Sequence, residues 1–212
     1  VGGPQLRACL LRARLFAERG DAAAAQREHA AAGRLQPGGE QDWVARAQAQ
    51  MSDAPDQALA DLDAALARYP QSVTALLARA TILEEQKHQP EAALAVLNAL
   101  LEVYPTNVSV LCRRGLLLAR LGRRDEAHRD GHAALALDAS AIVLYRVGVI
   151  HLLVAPVDVH DRNEAVRLIQ SALRKGYPRE RTEQDPDLDA IRKDLWIRPA
   201  AIRPASAPSA SP

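Results

Sequence analysis

The side chains able to do chemistry are few and fall in three strings. His128-Arg129-Asp130 carries the first letters of a phosphotransfer catalytic loop, whose aspartate accepts the proton of the attacking hydroxyl. Gly131 stands where that loop needs an apolar residue and Leu135 where it needs a metal-binding Asn, and no glycine-rich phosphate loop accompanies it. The string reads as chance. His128 and His132 are four apart, so a helix would place both on one face, as metalloproteases place zinc ligands. Arg129 follows where a Glu would serve as base, and no third ligand is evident, so a solvent-facing pair is expected. His151 and His160, with Asp158 and Asp161, could ligate a metal, but a polar loop is the expected reading. No nucleophile elbow, Walker or dinucleotide string is present. The expectation is a chain that is not an enzyme, with no catalytic, cofactor or metal site.

The elements that carry these residues repeat. Small residues recur at Ala13, Ala47, Ala80, Gly115 and Gly148, spaced 34, 33, 35 and 33. Alanines follow at Ala25, Ala58, Ala93, Ala127 and Ala165, and helix-ending positions at Pro37, Pro70, Pro105, Ala139 and Tyr177-Pro178. Three marks holding one period of this size predict stacked helical repeats. Within one unit, Leu111, Gly115, Leu118 and Leu121 recur at helical spacing, Gly122 ends that helix, and Asp125 opens a second carrying Ala127, Ala134 and Leu137. Gly115 would let the paired helix approach closely, and Gly122 can take the left-handed conformation that stops a helix.

These residues resemble the tetratricopeptide repeat (TPR) family. Leu111, Gly115, Leu118, Gly122, Ala127, Ala134 and Ala139 match its pattern best. Ala13, Phe16, Gly20, Ala25, Ala32 and Pro37 follow it, as do Trp43, Ala47, Ala58, Leu62, Ala65 and Pro70. A third set is Leu76, Ala80, Leu83, Ala93, Leu97 and Pro105, and a fifth Leu144, Gly148, Ala165 and Ala172, with about five extra residues around Ala155 to Asp161. Asp53 and His88 replace the turn glycine in repeats two and three. The resemblance implies an all-α, right-handed superhelix of about five helix-turn-helix repeats over 5–178, with repeats at 5–38, 39–71, 72–106, 107–140 and 141–178.

Composition agrees. The chain has 212 residues, 48% hydrophobic but only 3% aromatic, which suits closely packed helices of Ala and Leu better than a sandwich. With 27 basic against 26 acidic residues, no overall field calls for nucleic acid or an anionic membrane. The run Ile142 to Val157 contains Arg146 and His151 and is too short to span a bilayer. Cys9 and Cys112 fall about three repeats apart, too far for a disulfide, so buried reduced thiols and a cytoplasmic location are expected. Because the chain starts at Val1, an upstream domain or signal is an open expectation.

After Pro178 the pattern changes. Pro186, Leu188, Ile191 and Leu195, opened by Asp185, predict an amphipathic helix that covers the end of the array, in a capping segment over 179–197. This stretch resembles the closing segment of TPR arrays in bacterial signalling proteins such as serine/threonine kinases, which implies a regulatory or scaffolding role beside a catalytic domain outside this chain. Residues 198–212, rich in Pro, Ser and Ala, are expected to be disordered.

The family resemblance implies a concave groove lined by the first helix of each repeat. The register assigns to it Arg7, Leu10 and Arg14; Gln41, Val44, Gln48 and Met51; Thr74, Leu77, Thr81 and Glu84; Ser109, Cys112 and Leu116; Ile142, Tyr145, Val149 and Leu152. The Lys and Asn with which chaperone-binding members hold a peptide carboxylate are missing. The partner expected is a protein or peptide, either a short helix or an extended segment, with apolar anchors near repeats four and five, unless the final helix fills that end. The arginines Arg113, Arg114, Arg120, Arg123, Arg124 and Arg129 are offset by Asp125, Glu126 and Asp130, and a solvated face is expected. Homo-oligomerisation through an uncapped end is a further expectation. No nucleic acid partner is expected, because interleaved aromatics are missing.

Overall fold

A computed structural model describes residues 3–154 and 159–195. The chain runs as helices α1 (Gly3–Glu18), α2 (Ala22–Gly33), α3 (Glu40–Gln50), α4 (Pro55–Arg68), α5 (Val73–Glu85), α6 (Pro90–Val103), α7 (Val108–Arg120), α8 (Arg124–Leu137), α9 (Ala141–Val154) and α10 (Val159–Arg174). Each odd helix packs on the even helix that follows. Successive pairs are joined where α1 meets α3, α3 meets α5 and α7 meets α9, and where α4, α6 and α8 each meet the next odd helix. The result is an all-α solenoid. Short α11 (Arg179–Gln184), a 3-10 turn over 186–188 and α12 (Arg192–Leu195) close its far end.

The small-residue marks sit where helices cross closely. A Cβ on Gly115 would stand 2.7 Å from Ile150 Cδ1 and 3.4 Å from the Ala127 carbonyl, and one on Gly148 2.6 Å from Ile169 Cγ1 and 3.3 Å from the Ala165 carbonyl. Ala127 and Ala165, the alanine marks, are fully buried at these crossings. At Gly115 and Gly148 the periodic marks are therefore points of close approach between helices.

Turn chemistry follows the glycines. Gly20, Gly122 and Gly176 have φ of 79°, 73° and 89°. Each turn closes by an amide donating to a carbonyl five residues back: Asp21 to Phe16, Arg123 to Leu118, Tyr177 to Ala172. In repeat three His88 takes the left-handed position instead, at φ 51°. There the Gln89 amide reaches the Leu83 carbonyl, six residues back, so the turn is one residue wider.

A second period lies under the first. An arginine precedes the small mark at Arg12, Arg46, Arg79 and Arg114, and an acid stands three residues after the alanine mark at Glu28, Asp61 and Asp130. Arg46 donates two 2.7 Å hydrogen bonds to Asp61, and Arg114 donates two 2.7 Å bonds to Asp130. Arg12 reaches Glu28 at 2.9 Å. Asp61 and Asp130 are buried, so these pairs satisfy charges that the interior could not hold alone. Much of the arginine cluster read as a solvated face is engaged in this way. Arg113 and Arg120 bind Glu84, Arg123 binds Glu126, and Arg124 binds Asp161.

Core density is uneven along the array. One buried cluster runs from α5 through α10 into the closing segment, and a second joins α3, α4 and α5. The buried residues of α1 and α2 belong to neither. Helix α2 reads AAAAQREHAAAG, and its short side chains leave a cleft of about 510 Å³ against α3.

The end cap departs from expectation. The single amphipathic helix foreseen after Asp185 is broken into the 3-10 turn and one-turn α12, because Asp185 Oδ1 accepts from the Asp187 amide at 2.9 Å and tightens the start. Its apolar edge survives: Leu188 and Ile191 are fully buried and Leu195 nearly so. Trp196 and the tail over 198–212 lie outside the described residues.

Candidate functional site

The groove positions divide into three groups. Arg7 and Arg14 are exposed but engaged: Arg7 meets Gln41 at 2.6 Å and Asp42 at 3.0 Å, and Arg14 meets Glu18 at 2.9 Å. Leu10 lines the cleft beside α2 instead. Met51 packs on the α3–α5 core, and Glu84 is held by both Arg113 and Arg120 at 2.7 Å.

A second group is corrected by burial. Val44, Cys112, Tyr145, Val149 and Leu152 are each less than a tenth exposed and present no side chain to a partner. Val44 belongs to the α3–α5 core and the other four to the larger one. Desolvation pushes the Cys112 thiol up to about 11, and Cys9 and Cys112 are both free and buried.

Tyr145 is taken by the chain's own closing segment. Its ring stacks on Tyr177, centroids 4.0 Å apart and planes 10° from parallel, and its hydroxyl donates to the Asp185 carboxylate. Burial, with Asp185 next in weight, raises the phenol well above its ordinary range, so it stays a donor. Arg120 adds an ion pair to Asp187 at 3.3 Å, and Arg192 donates to the Asp185 carbonyl at 2.9 Å. The apolar end expected to take a partner is thus covered from within, while Ile142 at its margin remains exposed.

The third group makes a site. Gln48 from α3, Thr74, Leu77 and Thr81 from α5, Ser109 and Leu116 from α7 surround an open cleft of about 350 Å³, with Arg113 and Arg146 at its side. Leu77 and Leu116 are half-buried and give it an apolar floor, and Thr74, Gln48 and Ser109 are exposed. Arg113 donates to Glu84 and Glu85, yet its Nε is buried with no hydrogen-bond partner. Arg113 and Arg146 were not in the sequence-derived groove. Each stands four residues after a groove position, Ser109 and Ile142, and the four-residue step along a helix face was the signal that could have found them.

The histidines form a separate cluster. His128 is not solvent-facing: its ring stacks on His151 at 4.7 Å, and its Nε2 lies 3.0 Å from Asp161 Oδ1. His151 Nδ1 is 2.8 Å from the same oxygen. Asp161 and His151 are buried, and Asp161 and His160 stand in the first turn of α10 rather than in a loop. His132 is exposed, with its ring centroid 6.1 Å from that of His128. The three cluster residues come from α8, α9 and α10, which is why residue spacing did not join them. Asp158 lies outside the described residues.

No family model and no curated protein matches the sequence. Solved structures do. A thermophilic TPR protein from Thermus thermophilus is 21% identical, with 90% of this chain and 98% of that one covered and a TM-score of 0.64. A tetratricopeptide repeat protein from Parabacteroides merdae is 22% identical over 92% of this chain and 73% of its own, with a TM-score of 0.56. PilW, a type IV pilus biogenesis factor, is 18% identical over 80% of this chain and 78% of its own, with a TM-score of 0.60.

Proposed function

We propose that this chain, which has the tetratricopeptide-repeat fold, is a protein-interaction scaffold that holds an extended peptide segment in the cleft between α3, α5 and α7. The observation that carries the reading is the roughly 350 Å³ cleft itself, which combines an apolar floor of Leu77 and Leu116 with hydroxyls and two arginines. That volume takes one large side chain or two small ones, and Arg146, with Arg113 already held by Glu84 and Glu85, suits a partner with an acidic group next to an apolar anchor. No described helix is long and apolar enough to cross a membrane.

The test is calorimetry against a peptide library that varies apolar and acidic positions. Leu116→Arg fills the cleft, and Arg146→Glu reverses charge at its side. Each is expected to weaken binding at least tenfold with helicity unchanged. Equal affinity in both variants would place the partner elsewhere. Tyr145→Ala is not a groove test, because it unseats the closing segment.

A second reading is self-association through the first repeat. Leu11 and Leu15, one turn apart on α1, are 59% and 45% exposed, whereas the opposite end is covered. Leu11→Lys with Leu15→Lys should abolish any concentration-dependent mass in light scattering; a mass already monomeric at high concentration would remove this reading.

A further inference from the structure

We propose that His128, His151 and Asp161 form a binding site for a divalent transition-metal ion, zinc by preference, which ties α8, α9 and α10 together. The three candidate ligand atoms lie within 4.8 Å of one another, and two of the three pairs are at 2.8 and 3.0 Å. Atoms bound to a tetrahedral ion at about 2.0–2.1 Å stand about 3.3 Å apart, so small side-chain rotations bring all three to coordination distance.

Burial and orientation support the assignment. Asp161 is 2% and His151 5% exposed, and His128 Nε2 is buried without a hydrogen bond of good geometry despite its 3.0 Å approach to Asp161. Two imidazole nitrogens face one carboxylate oxygen, Oδ1, yet only the His151 contact is a hydrogen bond, and His128 Nε2 is aimed at that oxygen without one. The other oxygen, Oδ2, accepts from Arg124 at 2.7 Å. That contact fixes the carboxylate plane and leaves Oδ1 as a single ligand atom, the part an outer partner plays around metal sites.

Two imidazoles and one carboxylate suit zinc, with cobalt as a spectroscopic substitute, and leave the fourth position to water. On binding, each imidazole gives the lone pair of its facing nitrogen to the ion and carries its proton on the far nitrogen, so a proton that the facing nitrogen donates to Asp161 in the metal-free chain must first leave that position. Helices α9 and α10 also carry the closing segment, through Tyr145 and through Gln170, which donates to the Leu195 carbonyl. A bound ion would stiffen that platform.

The test uses the whole chain with zinc sulfate in calorimetry and cobalt chloride in absorption. One ion per chain is expected, with a tetrahedral cobalt spectrum free of thiolate charge-transfer bands. A hundredfold excess over Kd should raise the thermal midpoint by about 5–10 °C. His128→Gln and His151→Gln should each weaken binding at least tenfold with circular dichroism unchanged, while His132→Gln changes it less than about twofold. Absence of saturable binding overturns the proposal, as does binding that survives both cluster variants or is lost with His132→Gln, which would mean adventitious surface histidines. Should a cluster variant lose helicity, amide exchange on the unaltered chain decides. Zinc-dependent protection across α8, α9 and α10 supports the site, and unchanged protection there overturns it.

Discussion

Alanine at Gly148 should loosen the α9–α10 pair, whereas the same change at Gly115 should be nearly neutral. Both replacements gain about 1 kcal/mol of helix propensity. At Gly148 the new Cβ meets Ile169 Cγ1 at 2.6 Å and the Ala165 carbonyl at 3.3 Å. Cγ1 sits next to the branch point of a fully buried side chain that has one favoured rotamer on a helix, and the carbonyl is backbone. The helices themselves must part, at the upper end of the roughly 1–3 kcal/mol of overpacking, which leaves a net loss of about 1–2 kcal/mol. At Gly115 the first clash, 2.7 Å, is with Ile150 Cδ1, a terminal methyl, and the remaining contacts are 3.3 and 3.4 Å. Turning that methyl aside costs about 1 kcal/mol and cancels the gain. Thermal and urea denaturation followed by circular dichroism should lower the midpoint of Gly148→Ala by about 3–6 °C and leave Gly115→Ala within about 2 °C. Ile150→Val removes Cδ1 and should couple favourably with Gly115→Ala, by about 1 kcal/mol in a double-mutant cycle. Ile169→Val keeps a γ carbon and should not rescue Gly148→Ala. A Gly148→Ala midpoint at or above the parent, or a larger fall for Gly115→Ala, would refute the reasoning.

Four further outcomes are expected. Asp130→Ala leaves the half-buried Arg114 without its two-bonded partner and should cost about 2–4 kcal/mol, read from the shift in urea midpoint. Tyr145→Phe removes the donor to Asp185 and should raise exchange in the 3-10 turn and α12 at a cost of about 1–2 kcal/mol, with α1 to α8 unchanged. The Cys112 thiol, pushed up to about 11 by burial, should resist thiol reagents at pH 8 until the chain unfolds. Its folded pKa lies above the unfolded value of about 8.5, so the unfolded chain holds fewer protons between the two and stability should fall as pH rises through that window. Finally, α1 and α2 share neither large core, so native-state exchange should show them opening first.

Much of the architecture was legible because it is local and repeats. A small residue before a turn, then an alanine, then a helix end, recurs at one period, and each mark has one job: Gly115 and Gly148 admit the neighbouring helix, and Gly122 takes the left-handed turn. The arginine and acid that accompany those marks are equally periodic, at Arg46 with Asp61 and Arg114 with Asp130, yet in sequence Arg114 and Asp130 read as part of a solvated face. Fifteen or sixteen residues separate each pair. Only the antiparallel return of the second helix turns that distance into contact.

The chain's period alone determined an all-α array of paired helices with a changed pattern after Pro178, because helix faces, turns and close crossings are set by residues within one repeat. Tertiary structure decided what those faces touch. It buried Val149 in the core and Tyr145 against the closing segment, left the cleft between α3, α5 and α7 open, and gathered His128, His151 and Asp161 from three helices. Those outcomes depend on how far one repeat is rotated and shifted on the next, a quantity summed over many side-chain contacts that no spacing within a single helix records.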